Sequence, residues 1–163
     1  MQLKIPAARS TMKLNAFTDY SLRVLIYLAA DPGRRATIAQ ICAAFDVKAN
    51  HLTKVVHHLG KCGWVETVRG KGGGLTLAMP AEAINVGQVV RDAEGAALPA
   101  ECFDPAGSTC AIQGCCRLRS ALAEAVQAFY GVLDRLTLAD ICQNPRQLVA
   151  ILHLPRRTAA QAA

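Results

Sequence analysis

Apolar positions along the chain recur first at helical spacing and then at strand spacing, and that switch organises the first half. Leu22, Leu25, Ile26 and Ala29 share one face of a helix that Thr18 can cap, that opens at Asp19-Tyr20-Ser21 and that ends near Asp31-Pro32-Gly33. Thr37 can cap a second helix over ATIAQICAAF, with Ile38, Ile41, Cys42 and Phe45 at helical spacing. After a tight DVKA link, NHLTKVVHHLGKCG turns Leu52, Val55, Val56 and Leu59 inward and stops at Gly63. Its solvent side carries Lys48, Asn50, His51, Thr53, Lys54 and His57. The period then falls to two. WVETV and LTLA predict strands on either side of RGKGGG, a hairpin whose tip bears Arg69 and Lys71. Two short helices joined by a few residues and followed by such a hairpin predict a winged helix-turn-helix over residues 12–79.

Beyond Pro80 the pattern changes again. INVGQVVRDAE reads as a short amphipathic helix and a cysteine-bearing loop follows. From Cys116 onward, Leu118, Leu122, Ala125, Phe129, Val132 and Leu136 recur at alternating steps of four and three, a heptad seam. No other long helix is left to cover that seam, so it is expected to pack against its copy in a homodimer, or back on its own first domain, or both. Thr137 can cap a last short helix, LADIC, and PRRTAAQAA reads as a tail. The expected organisation is thus a reading domain over 12–79, a sensor loop with a dimerisation helix over 80–154, and flexible termini at 1–11 and 155–163. The fold class is mainly α with a small β-hairpin wing.

Composition sharpens this division. Of 163 residues, 52% are apolar and 18% charged, which excludes a disordered chain. The longest apolar run, Val24 to Ala30, is too short to span a bilayer, and the N-terminus lacks a secretory pattern, so no membrane partner and a cytoplasmic setting are expected. The net charge of +6 is uneven: residues 1–79 hold 11 Lys/Arg against 4 Asp/Glu, residues 80–163 hold 7 against 8. A basic first half suits double-stranded DNA, and a solubilising surface is the plainer alternative. The polar groups of the third helix match base edges and phosphates in a major groove. Arg69 and Lys71, on a tip with three successive glycines, suit close approach to a minor groove.

Seven cysteines in a reducing setting point to metal or redox chemistry before disulfides, and the odd count agrees. Cys42, Cys62 and Cys142 occupy positions that suit a core. The run CFDPAGSTCAIQGCCRLR is different: Cys102, Cys110 and either Cys115 or Cys116 can converge, because Asp104-Pro105-Ala106-Gly107 permits turning. Adjacent Cys115 and Cys116 point in different directions, so both rarely bind one metal. Three thiolates need a fourth ligand. Zinc would want a nearby His or Cys, and no histidine lies between His58 and His153. Iron-sulfur clusters tolerate a mixed shell. No P-loop, nucleophile elbow or Rossmann glycine pattern is present, so an enzyme is not expected.

MKLNAFTDYSLRVLIYLA, the wing VRGKGGGLTL and the pattern C-x7-C-x5-C-RLR-x-AL together resemble the Rrf-type family of bacterial winged-helix regulators, from Met12 to about Leu154. The likeness is strongest to the family's nitric-oxide-sensing repressors. It implies a homodimer that binds a palindromic operator and lets go when its cluster is nitrosylated. It also implies a 4Fe-4S cluster in each subunit, with 2Fe-2S as the other form, held by Cys102, Cys110 and Cys116. The position matching Asp19 is implied to add a carboxylate ligand from the partner subunit, and Cys115 falls beside a ligand position. Regulators of cluster assembly in the same family place a ligand histidine three residues after the third cysteine, where this chain has Arg119. A zinc or thiol-switch DNA-binding regulator is the remaining alternative. Because the resemblance begins at Met12, the preceding residues read as an upstream start.

Overall fold

The computed structural model describes residues 14–95, 99–104 and 107–152. The expected flexible termini, Met12 and the Pro105-Ala106 part of the turn lie outside the described residues.

Helix α1 (Ala16–Ala30) is the hub of the fold. Asn15, not Thr18, caps it: the Asn15 Oδ1 accepts the Thr18 N–H at 2.8 Å. Thr18 therefore lies inside the first turn and is fully buried, with its hydroxyl also on Asn15 Oδ1. Ser21 is buried too, and returns its hydroxyl to the Phe17 carbonyl at 2.8 Å. These local bonds let two polar side chains enter the core without an orphaned donor. Val24, Leu25, Tyr27 and Leu28 complete a helix that is apolar on most of its circumference.

Helix α2 (Ile38–Phe45) begins with a reciprocal capping box between Thr37 and Gln40 and ends at Asp46, whose left-handed backbone (φ 51°) makes the tight turn. Helix α3 (Ala49–Lys61) buries Leu52, Val55, Val56 and Leu59 against α1 and α2, as its pattern predicts. Strands β1 (Val65–Val68) and β2 (Gly74–Leu77) pair antiparallel in the register Val65 to Leu77 and Val68 to Gly74. Ala36 adds a short bridge to β2 by exchanging two backbone bonds with Leu75, which anchors the hairpin ahead of α2.

Helix α4 (Val86–Glu94), capped by Asn85, packs on α1 through Val89 and other apolar residues. Helix α5 (Arg117–Leu133) follows the cysteine loop, packs against α4, and has no buried residue. Leu136 lies beyond its end: Asp134 closes the helix, and the Leu136 carbonyl accepts the Val86 N–H at 2.9 Å. The apolar seam on the helix therefore runs from Leu118 to Val132. Thr137 caps α6 (Leu138–Ile141) as expected, with Asp140 completing its capping box. Helix α7 (Pro145–Ile151) then packs back on α1. Among the described residues, no helix is long and apolar enough to cross a membrane.

Candidate nucleic-acid interface and cysteine loop

The outer face of α3 presents Asn50, His51, Thr53, Lys54 and His57, with Lys48 at its N-cap, and all six are exposed. Two are locally braced. His51 packs edge-on to the Tyr20 ring, with centroids 6.0 Å apart, and the Thr53 hydroxyl donates to the Ala49 carbonyl at 2.9 Å. The inward face is so fully apolar that the outward set has one orientation available.

The wing needs its glycines for its own path. Gly70 and Gly72 have φ of +94° and +77°, in the region that L side chains rarely adopt. Gly73 passes so close to the Val68 carbonyl that a Cβ would collide with it. The tip residues Arg69 and Lys71 are exposed, and a neighbour outside the hairpin steadies them: Arg35 Nη1 donates to the Gly72 carbonyl at 3.0 Å. Arg35 carries no motif signal; only its place ahead of the Ala36 bridge could have marked it. A groove between α3 and β1 with an apolar floor, lined at its polar edges by Thr53, His57, Lys61, Glu66, Thr67 and Arg69, joins helix face to wing.

The reading head is tied to the rest through α4. Glu94, at the end of α4, accepts from the Asn15 backbone N–H (3.1 Å) and Nδ2 (2.9 Å), so the residue that caps α1 is held where the chain leaves for the cysteine loop. Arg91 forks onto Asp134 at the end of α5, at 2.6 and 2.7 Å, and lies 4.2 Å from the Tyr130 ring centroid. This pairing holds the Asp134 carboxyl below its ordinary range.

In the cysteine loop, Glu101 Oε1 accepts both the Thr109 backbone N–H (3.0 Å) and its hydroxyl (2.7 Å). These bonds, the hydroxyl's first, lower the Glu101 pKa. Glu101 and Thr109 immediately precede Cys102 and Cys110, so the clip draws two of the thiol-bearing residues towards each other. Arg119, in the first turn of α5, donates Nε–H to the Cys102 carbonyl at 3.1 Å and lies over the Phe103 ring. Cys116 is the N-cap residue of α5. Cys115 belongs to the preceding 3-10 turn, and its thiol points back to the Ile112 carbonyl at 3.5 Å. All four loop cysteines are free; Cys110 and Cys115 are exposed, Cys102 and Cys116 half-buried.

The described residues of one chain contain no group of three His, Cys, Asp or Glu side chains already arranged to hold a metal ion. Asp19 lies in the first turn of α1, 44% exposed, and pairs there with Arg23 at 2.8 Å rather than with a cysteine. The donor set nonetheless fits an iron-sulfur group: free cysteines on one clipped loop and at one helix start offer the soft sulfur ligands that such a group takes. His51, His57 and His58 all lie on α3. Of the three cysteines expected in the core, Cys142 is buried and its thiol pKa is raised by burial, and Cys42 is half-buried against the core. Cys62 is different. It caps the end of α3, half-buried, 3.5 Å from His58 Nε2, and burial and then the Asp92 charge raise its pKa. The glycine at position 63 ends the helix before Cys62 can turn inward.

Residues 14–144 match the Rrf2 family, described as "Iron-dependent Transcriptional regulator". The HTH-type transcriptional regulator NsrR of Bacillus subtilis (strain 168) is 46% identical over 144 residues, covering 88% of this chain and 99% of that one. Its namesake from Geobacillus kaustophilus (strain HTA426) is 44% identical, covering 86% of this chain and 97% of that one. Among solved structures, the oxidized form of Staphylococcus aureus CymR superposes with a TM-score of 0.63 at 27% identity, over 80% of this chain and 96% of that one. T. potens IscR superposes with a TM-score of 0.68 at 22% identity, over 92% and 96%, and supports the fold alone. With a winged-helix fold, a family match over most of its length and relatives that are regulators rather than enzymes, the chain belongs to the Rrf2 family of iron-dependent transcriptional regulators.

Proposed function

We propose that the chain is an iron-sulfur-containing, nitric-oxide-responsive repressor that binds palindromic operator DNA as a homodimer and releases it when nitric oxide destroys the cluster. The carrying observation is the Glu101–Thr109 clip, which gathers Cys102 and Cys110 within one loop that ends at Cys116 on the start of α5. The relatives named NsrR and the family's iron dependence support the same reading.

In this reading residues 12–79 read DNA and residues 80–154 sense and dimerise. Lys48, Asn50, His51, Thr53, Lys54 and His57 enter a major groove, while Arg69 and Lys71 reach the flanking minor groove or phosphates. Cys102, Cys110 and Cys116 would hold a 4Fe-4S cluster, to which Asp19 of the partner subunit would add a carboxylate, and the bound cluster would supply iron open to attack by nitric oxide. Asp19 sits on α1, against which α3 packs, so ligation across the dimer would tie one subunit's loop to the other's reading head. Losing that tie frees the two α3 helices from a fixed separation. Half-sites about one helical turn apart then no longer match, which weakens specific binding. Cys115, its thiol turned back into the 3-10 turn, is left out of the ligand set.

Cys110→Ala tests the assignment. The variant is expected to purify without iron and to lose specific operator binding. A Cys110→Ala protein that lacks iron yet binds the operator as tightly as the cluster-loaded wild type would overturn it.

A further inference from the structure

Asp92, on α4, meets the base of the wing and the end of α3 at once. Its Oδ2 accepts the Trp64 indole Nε1–H at 2.9 Å, its Oδ1 accepts from Gln88 Nε2 at 3.1 Å, and its backbone carbonyl lies 3.0 Å from His58 Nε2. His58 is in the last turn of α3. Trp64 is the residue before β1, and its own carbonyl accepts the Ala78 N–H at 3.1 Å just after β2, so it forms the floor of the hairpin. Nothing in the DNA-reading surface uses these groups. An indole is a donor with no alternative role, and a half-buried one is aimed by its single acceptor. The next residue back, Arg91, is forked onto Asp134 of the α5 end, so the same turn of α4 grips both halves of the molecule.

We propose that Asp92 is a positioning residue for DNA binding: through its carboxylate on Trp64, beside a backbone carbonyl that meets His58, it fixes the angle between the wing and the recognition helix α3. Trp64, the chain's single tryptophan, is then a built-in optical reporter of that angle. The proposal rests on the DNA-binding reading above and specifies which contact regulates its geometry. The Asp92 carboxylate is engaged by Trp64 and Gln88, so its loss is expected to act on the fit between wing and helix.

The test uses anaerobically purified full-length protein and a palindromic duplex that the wild type enriches from a random-sequence pool. Operator affinity and its salt dependence are measured for wild type, Asp92→Ala, Asp92→Asn, Trp64→Phe and the Asp92→Ala/Trp64→Phe double variant, and indole emission for the three that keep Trp64. Asp92→Ala is expected to bind roughly tenfold more weakly, as loss of a charge-assisted bond implies, with an unchanged salt slope and red-shifted emission. Asp92→Asn, which keeps an acceptor oxygen, is expected to stay within about twofold of wild type. Trp64→Phe is expected to weaken binding as Asp92→Ala does, and the double variant to be no weaker than Asp92→Ala, because all three remove the Asp92–Trp64 contact. Wild-type affinity in Asp92→Ala, or additive losses in the double variant, would overturn the proposal. If Asp92→Ala does not fold, Trp64→Phe decides: wild-type affinity there overturns the proposal as well. If the wild type enriches no duplex, the DNA-binding reading itself fails, a result distinct from all of these.

Discussion

Glu101 is a small residue-scale device with a legible pH signature. Its carboxylate holds the Thr109 hydroxyl and amide, and these bonds depress its native pKa. A depressed carboxyl pKa stabilises the clipped loop above the ordinary carboxylate range and loses that contribution as pH falls through the depressed native value. The Thr109 amide is therefore expected to lose protection, relative to its intrinsic exchange rate, as pH falls below the ordinary carboxylate range in a hydrogen-exchange titration, and Glu101→Gln should remove the pH step. An amide whose exchange protection is the same on both sides of that range would show that the clip does not close the loop. Single residues were read unevenly from sequence. The six polar groups of α3 were legible because four apolar neighbours fix the helix's rotation. Asn15 was not, because Asn15 and Thr18 are both capping types three residues apart, and only the backbone shows which one stands outside the helix. Cys62 was read as core because the helical period was carried one residue past the helix end.

At the scale of elements, the wing turns sequence into shape most directly. Its tip takes positive φ at two glycines and leaves no room for a Cβ at Gly73. Gly73→Ala is expected to distort the hairpin at a cost of about 1–3 kcal/mol, lowering the melting temperature and operator affinity while the helical circular dichroism stays unchanged. Undiminished operator affinity in that variant would mean that the wing's path does not matter for binding. The glycine run was visible in sequence, and the structure adds that the turn itself requires glycines at these positions. The hairpin, α2 and α6 were legible because period and caps agree. Helix α7 escaped notice although Asn144-Pro145 is a good start signal, Pro at the first helical position having a fixed φ and no N–H to satisfy. Leu136 continued the heptad on paper, but the chain turns at Asp134 to bond with α4.

For the whole molecule, α5 is the open question that the fold poses. Leu118 and Val132 on its seam are 65% and 51% exposed, and a seam of that length is expected to find a partner helix. Leu118→Glu is expected to convert a dimer to monomer in sedimentation velocity and to weaken operator binding, since two half-sites then bind one at a time. A wild-type protein that sediments as a monomer at micromolar concentration would remove the second copy from the account. The contrast between a basic first part and a cysteine-bearing second part was legible from the sequence. The cysteine loop's internal clip was not, because Glu101 and Thr109 are common surface residues whose pairing depends on how the loop turns.

The most direct test of the whole account is an absorbance titration with nitric oxide on anaerobically purified protein, with iron and sulfide assayed and operator binding followed by anisotropy in the same samples. The account predicts a brown protein, about four irons and four sulfides per chain, whose colour is lost in step with release of the operator. A colourless protein under strict anaerobiosis, or a brown one that keeps its operator throughout the titration, would contradict it.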